Sequence, residues 1–437
     1  MQDADPVADT DELVGGPLLD ETSTAAATSA LFLGIGLLMM GNGLNGAVLG
    51  IRASSEGFGL VETGLVMASF YAGFFAGSLY SVRLLASVGH IRVFAALAST
   101  ASSVVLIHSV SVVPLTWAVM RFVFGACIAG LYVVAESWLN DLATNATRAR
   151  LLATYMVVTM GGLSIGQVLL TTADANGFRL FILASVLVSL SLVPVTLSAT
   201  SAPPLRVPVP MSIRSLLKLV PTGVIGSFWV GAGAGTLLGM GAVYGSAVGL
   251  SPDRIALFLT APLIGAIVAQ KPVGWLADRY PRRGVIFGIA VQGAAAATGL
   301  LLVGDGTAAA LALMFVLGAA LFPLYSLVVA YANDWVEPEQ MVGASAALVR
   351  TNGAGAVVGP LVAAGLMAVG DARLFFATLI ATHGMVAVYI AYRIVVADPI
   401  PLDQQRRFVV IPARGGALAA SLIPRRRTRS RSSDQAG

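Results

Sequence analysis

The sequence predicts an all-α integral membrane protein whose twelve transmembrane helices form two six-helix, pseudo-symmetric halves. Three observations carry that prediction. The mean hydropathy is +0.85 and 11% of the 437 residues are charged, whereas a soluble domain carries about a quarter. Twelve apolar stretches approach the length of about 20 residues that a helix needs to cross hydrocarbon. Finally, RFVFGACIAGLYVVAESWLND (121–141) returns as MFVLGAALFPLYSLVVAYAND (314–334), a constant 193 residues later.

In chain order the apolar stretches run near 26–49, 60–80, 91–112, 114–138, 150–172 and 177–199, then 219–248, 253–273, 284–303, 307–332, 340–369 and 372–395. The 48 glycines suit them, because helices in lipid associate through close backbone approach at small residues. Before the first stretch, residues 1–25 form an acidic segment. Its first 21 residues hold Asp3, Asp5, Asp9, Asp11, Glu12, Asp20 and Glu21 and neither Lys nor Arg. Without a basic n-region no cleavable signal is expected, and such a composition favours disorder. Residues 26–199 make the first half, the Pro- and Arg-bearing segment 200–218 a linker, and 219–395 the second half. Residues 396–437 form a basic tail whose PRRRTRSRSS run (424–433) is either solvated or drawn to anionic lipid.

Basic residues set the orientation. An N-terminus inside places Arg83, Arg92, Arg148, Arg150, Arg206, Arg214, Lys218, Lys271 and the cluster Arg279, Arg282 and Arg283 in or beside cytoplasmic connections, against Arg52, Arg179, Arg254 and Arg373 outside. The positive-inside rule then puts both termini in the cytoplasm, with the chain a multi-pass protein of the plasma membrane. The Asn145–Thr147 glycosylation pattern falls on the cytoplasmic side and is discounted. Cys127 is alone, so no disulfide within the chain is expected.

The duplication pairs Phe122, Gly125, Leu131, Tyr132, Asn140 and Asp141 with Phe315, Gly318, Leu324, Tyr325, Asn333 and Asp334. It continues through the next helix, where Gly162 meets Gly355 and Gly166 meets Gly359. Two such halves rocking about a shared midplane cavity form a transporter architecture. GWLADRYPRRG (274–284) packs four charges into eleven residues, and offset by 197 it aligns Gly77 with Gly274 and Leu79 with Leu276.

That loop resembles the signature of the major facilitator superfamily, Gly-x-Leu-x-Asp-Arg followed by a basic pair. The twelve helices, the two-half repeat and Arg121 in RFVFG extend the resemblance over residues 26–395, and AESWLND (135–141) is similar to the YcaD-like bacterial branch. The first-half copy departs from the pattern, with Ser81 in place of the aspartate. The resemblance implies secondary transport of a small solute by alternating access, open to proton coupling.

A charge at bilayer depth costs at least about 2.5 to 3.5 kcal/mol, so each is a site candidate. Arg350, deep in the eleventh helix beside Asn352, is expected to line the cavity or to bond Gly-rich backbone. The resemblance makes Arg121 a cavity or proton-coupling residue, with an ion pair inside its half the alternative. Glu62 either reaches water at the outer end of the second helix or pairs with Arg121 as a protonatable switch. Asn42 and Asn45, a turn apart, share one face of the first helix, which lines the cavity in the family, so they contact substrate or else hydrogen-bond between helices, and Tyr71, Tyr132, Gln167 and Tyr325 are further cavity candidates. No carboxylate lies mid-span in that first helix. Glu136 is read as gating or structural, with Arg83 or Arg92 as partner. Within the signature loop, Gly274, Asp278 and Arg279 with Arg282 and Arg283 form a gating group. The resemblance implies that the loop packs on the other half when the cytoplasmic side closes, so Asp278 is expected to dock on the positive N-terminus of the fifth helix, helped by Arg148 and Arg150, with simple retention by positive charge the alternative. Arg282 and Arg283 are expected to meet Asp334 and Glu337. His108 and His383 are read as packing residues.

Other classes fare worse. Gly162-Leu-Ser-Ile-Gly166 fits a hydrolase pattern, but the strand–turn–helix context is missing and Ser164 becomes Val357 in the repeat while the glycines persist. No nucleotide-cradling, His-Glu-x-x-His or paired-cysteine motif is present. No enzyme activity, cofactor, metal or nucleic-acid partner is expected; the partners are the bilayer and a small solute, and the chain is read as a monomer. The surviving rival is a non-transporting receptor on the same architecture.

Overall fold

A computed structural model describes residues 21–144, 147–197, 211–337, 340–397 and 400–409. Among them are twelve helices long and apolar enough to span a membrane. The first half contains α1 (Glu21–Ser55), α2 (Leu60–Val88), α3 (His90–Val110), α4 (Pro114–Leu142), α5 (Arg148–Val168) and α6 (Arg179–Leu197, broken at Ser191). The second contains α7 (Pro221–Ala247), α8 (Pro252–Arg279), α9 (Arg282–Leu302), α10 (Ala308–Trp335), α11 (Met341–Val369) and α12 (Leu374–Val396). The acidic residues 1–20, the linker residues 201–210, Asn145 of the glycosylation pattern and the basic run 424–433 lie outside the described residues.

Local chemistry explains the breaks. Proline opens α4, α7 and α8, where its missing N–H costs nothing, and the Thr307 hydroxyl accepts from Ala310 N to start α10. Only Gly89 separates α2 from α3; its φ of +93° suits glycine alone. Several helices overrun their apolar stretches, α1 by five residues at its start, because backbone bonding continues into polar sequence where nothing opposes it.

The duplication reappears in packing. In the first half α5 lies so close to α1 that a Cβ on Gly162 or Gly166 would strike the Gly36 or Met40 carbonyl; in the second, Gly355 and Gly359 of α11 meet the Phe228 and Ala232 carbonyls of α7 in the same way. Gly125 seats against the Phe70 carbonyl and its counterpart Gly318 against that of Pro262, joining α2 to α4 and α8 to α10. The repeated glycines thus mark helix contacts. Even the polar tethers repeat. His90, first residue of α3, bonds Ser137 Oγ at 2.8 Å and lies against Trp138. Arg282, first residue of α9, reaches Ala330 O at 2.8 Å, while Arg283 donates from Nε to Tyr331.

Across the seam between halves α2 packs on α11, α5 on α8 and α1 on α7. The bundle end at which α1 begins and α12 finishes is here termed inner, the opposite end outer.

Candidate functional site

The seam is tight at its outer end. A Cβ on Gly50, near the end of α1, would lie 2.7 Å from that of Ala242 on α7, and Gly64 on α2 abuts Ala364 on α11. Thr260 Oγ1 on α8 donates to Ser164 O on α5 at 3.4 Å. The Ser164 hydroxyl donates back to Met160 O, and His383 Nδ1 is held at Leu379 O in the other half. Ser164 of the hydrolase pattern and His383 are therefore separately engaged.

Toward the inner end the seam turns polar and aromatic. Tyr132 of α4 donates to Met39 Sδ at 3.0 Å and sits edge-on to Phe74 and to Tyr155 of α5. Tyr155 OH donates to Glu136 Oε1 at 3.4 Å. Tyr325 of α10, from the other half, lies within electrostatic range of the same carboxylate. All four residues are buried, Glu136 completely. The structure therefore gathers two residues singled out in the sequence, Tyr132 and Glu136, around a third that was not, Tyr155, with Tyr325 in electrostatic range of Glu136. A lone tyrosine near the start of an apolar helix carries no sequence signal; only the crossing of α4 and α5 makes it a partner. A tyrosine hydroxyl near a buried carboxylate supplies the hydrogen bond such a charge requires.

The remaining predicted residues are dispersed. Tyr71 faces Gly239 across the seam. Asn42, Asn45 and Gln167 are buried, and neither polar atom of Asn45 nor Gln167 Oε1 finds a hydrogen-bond partner among the described residues. Asn352 Nδ2 donates to Ser227 O at 3.1 Å, joining α11 to α7 within one half. Arg350 Nη2 reaches inward to Met211 O at 2.7 Å, ahead of a two-turn helix at Ile213–Leu219.

Arg121 is buried with Met67 Sδ 3.8 Å away and the Phe70 ring centroid 4.7 Å from its Cζ. Glu62 is not brought to it. Exposed at the third position of α2, its carboxylate accepts from Gly59 N at 3.0 Å, so helix capping uses the group that a switch would need. Arg83 and Arg92 are exposed, whereas Glu136 is buried.

The signature loop is engaged inside its own half. Arg282 Nη1 meets Asp334 Oδ2 at 2.5 Å, with both side chains nearly inaccessible. Arg283 Nη1 donates to the Arg393 and Ala397 carbonyls at 3.1 and 2.6 Å rather than to Glu337. Arg279 stacks over Trp275, Arg150 is exposed and Arg148 is half-buried. The Asp278 carboxylate accepts from Phe408 N at 2.6 Å. The occupant of that carboxylate is thus the chain beyond α12, which hydropathy could not reveal.

Twelve helices in two repeated halves, closed at one end of the seam and polar at the other, define a membrane transporter by class. A profile of the Major Facilitator Superfamily matches residues 223–429. The MFS-type transporter YcaD of Salmonella arizonae is 30% identical over 310 residues, covering 70% of this chain and 80% of that protein; its namesake in Salmonella typhi is 29% identical over 345 residues, covering 78% and 88%. The chain belongs to the Major Facilitator Superfamily, in its YcaD-like branch. Solved structures share the fold: the nucleoside transporter NupG, TM-score 0.68 at 12% identity, covers 86% of this chain and 100% of its own. A bacterial homologue of the human lysosomal transporter Spinster scores 0.64 at 13% identity, with coverages of 92% and 98%.

Proposed function

We propose that the protein moves a small solute across the plasma membrane by alternating access, coupled to protons through Glu136, with both termini cytoplasmic. The observation that carries this reading is the polarity of the seam. Its outer end is sealed by Gly50 on Ala242 and Gly64 on Ala364, while behind the seal a fully buried carboxylate accepts from Tyr155 of its own half and lies in electrostatic range of Tyr325 of the other. A group that changes charge where two rocking bodies meet biases their equilibrium by the difference in its interactions between the two states. In this reading the described conformation is the one facing the cytoplasm.

The test needs no substrate. Spin labels at Ser55 and Ala247, exposed at the outer ends of α1 and α7, report the seal in liposomes on a Cys127→Ser background. Their distance distribution is expected to change with pH, and in Glu136→Gln to stay constant. A response that survives Glu136→Gln refutes coupling at this carboxylate.

A further inference from the structure

Beyond α12 the chain turns back over the signature loop, and three of the loop's four charged groups, Asp278, Arg282 and Arg283, are involved. Arg283 caps the end of α12 through the Arg393 and Ala397 carbonyls, fixing where the return begins. Arg406 N donates to Asp334 Oδ1 at 2.9 Å, the Arg406 carbonyl accepts from Arg282, and the Arg406 guanidinium donates to Val336 O at 3.0 Å beyond the end of α10. Asp334 is thereby shared between loop and return segment. Two residues on, Phe408 N occupies Asp278, and the Phe408 ring lies on Gly274, where a Cβ would be 2.9 Å from Cδ1.

Gly274 and Asp278 are one turn apart and share a face of α8. A glycine bares backbone for close approach, and an aspartate offers charge to a helix N-terminus. Those are the properties a docking face toward another helix requires. Here one aromatic residue covers both. We infer that residues 400–409 form an autoinhibitory strap: it holds the inner face of α8 against the protein's own C-terminal segment, and the inner ends of the halves converge only after Phe408 withdraws. The inference rests on the alternating-access reading above.

Phe408→Pro deletes the donor to Asp278 together with the ring; Phe408→Ala deletes the ring alone and serves as the second variant. Labels at Ala153 on α5 and Lys271 on α8, both exposed, follow the inner ends, and the Ser55–Ala247 pair follows the outer ones. A hydrogen bond to a carboxylate contributes enough that Phe408→Pro is expected to raise the ratio of outward-open to inward-open molecules about tenfold or more, and Phe408→Ala by less. A wedge, Gly50→Trp, provides the control, because any side chain there collides with Ala242. If the wedge parts the outer labels and neither Phe408 variant, folded by helicity and monodispersity, moves either pair, the strap is refuted while alternating access stands. If the wedge leaves the outer labels together, alternating access fails and the strap with it.

Discussion

Arg282 illustrates how a charge survives in so apolar a chain. Its guanidinium reaches the Asp334 carboxylate and the carbonyls of Ala330 and Arg406, with the side chain 2% accessible. Removing one member of a buried pair leaves the other uncompensated, at a cost of about 3 to 5 kcal/mol. Arg282→Ala should fall at the low end of that range, since Asp334 keeps the Arg406 amide. Replacing both partners, as Arg282→Met with Asp334→Leu, is expected to recover most of the loss. Thermal unfolding in detergent measures both. A double variant no more stable than Arg282→Ala would show that the pair supplies more than mutual neutralisation.

At the scale of helices, the sequence was legible wherever a property repeats along the chain. Hydropathy marked all twelve spans, and the constant offset located contacts that geometry then displays, as with Gly162 and Gly355. What escaped were properties set around a helix rather than along it. Arg350 and Asn352 are two residues apart, hence about 200° apart on the helical wheel, so one reaches Met211 and the other Ser227 in place of a shared cavity. Glu62 could be placed at an outer helix end, but not the Gly59 amide that accompanies it. The strap at 400–409 is irregular apart from one 3-10 turn, without periodicity to betray it, and its partners are backbone groups that every residue carries. Tyr155 became visible only when α5 crossed α4.

For the whole molecule, orientation and motion are the properties that single residues can report. In the proposed topology, which rests on the positive-inside bias of the basic connections, the inner end faces the cytoplasm, so a cysteine at Ser430 should react with an impermeant reagent only from that side; labelling from outside intact cells would invert the topology. Motion can be arrested by geometry already present. Cβ atoms at Gly50 and Ala242 would lie 2.7 Å apart across the outer seam, inside the roughly 3.8 Å typical of a disulfide. A small separation of α1 from α7 therefore brings Gly50→Cys and Ala242→Cys into bonding range, with Cys127→Ser removing the native thiol. Oxidation should join the halves where alternating access requires them to part. The Ser55–Ala247 distribution should then collapse to its short component and lose its pH response, and a reductant should restore both. Crosslinked protein whose outer labels still separated would mean that the halves part about some other line, and the seam at Gly50 would not be the outer gate.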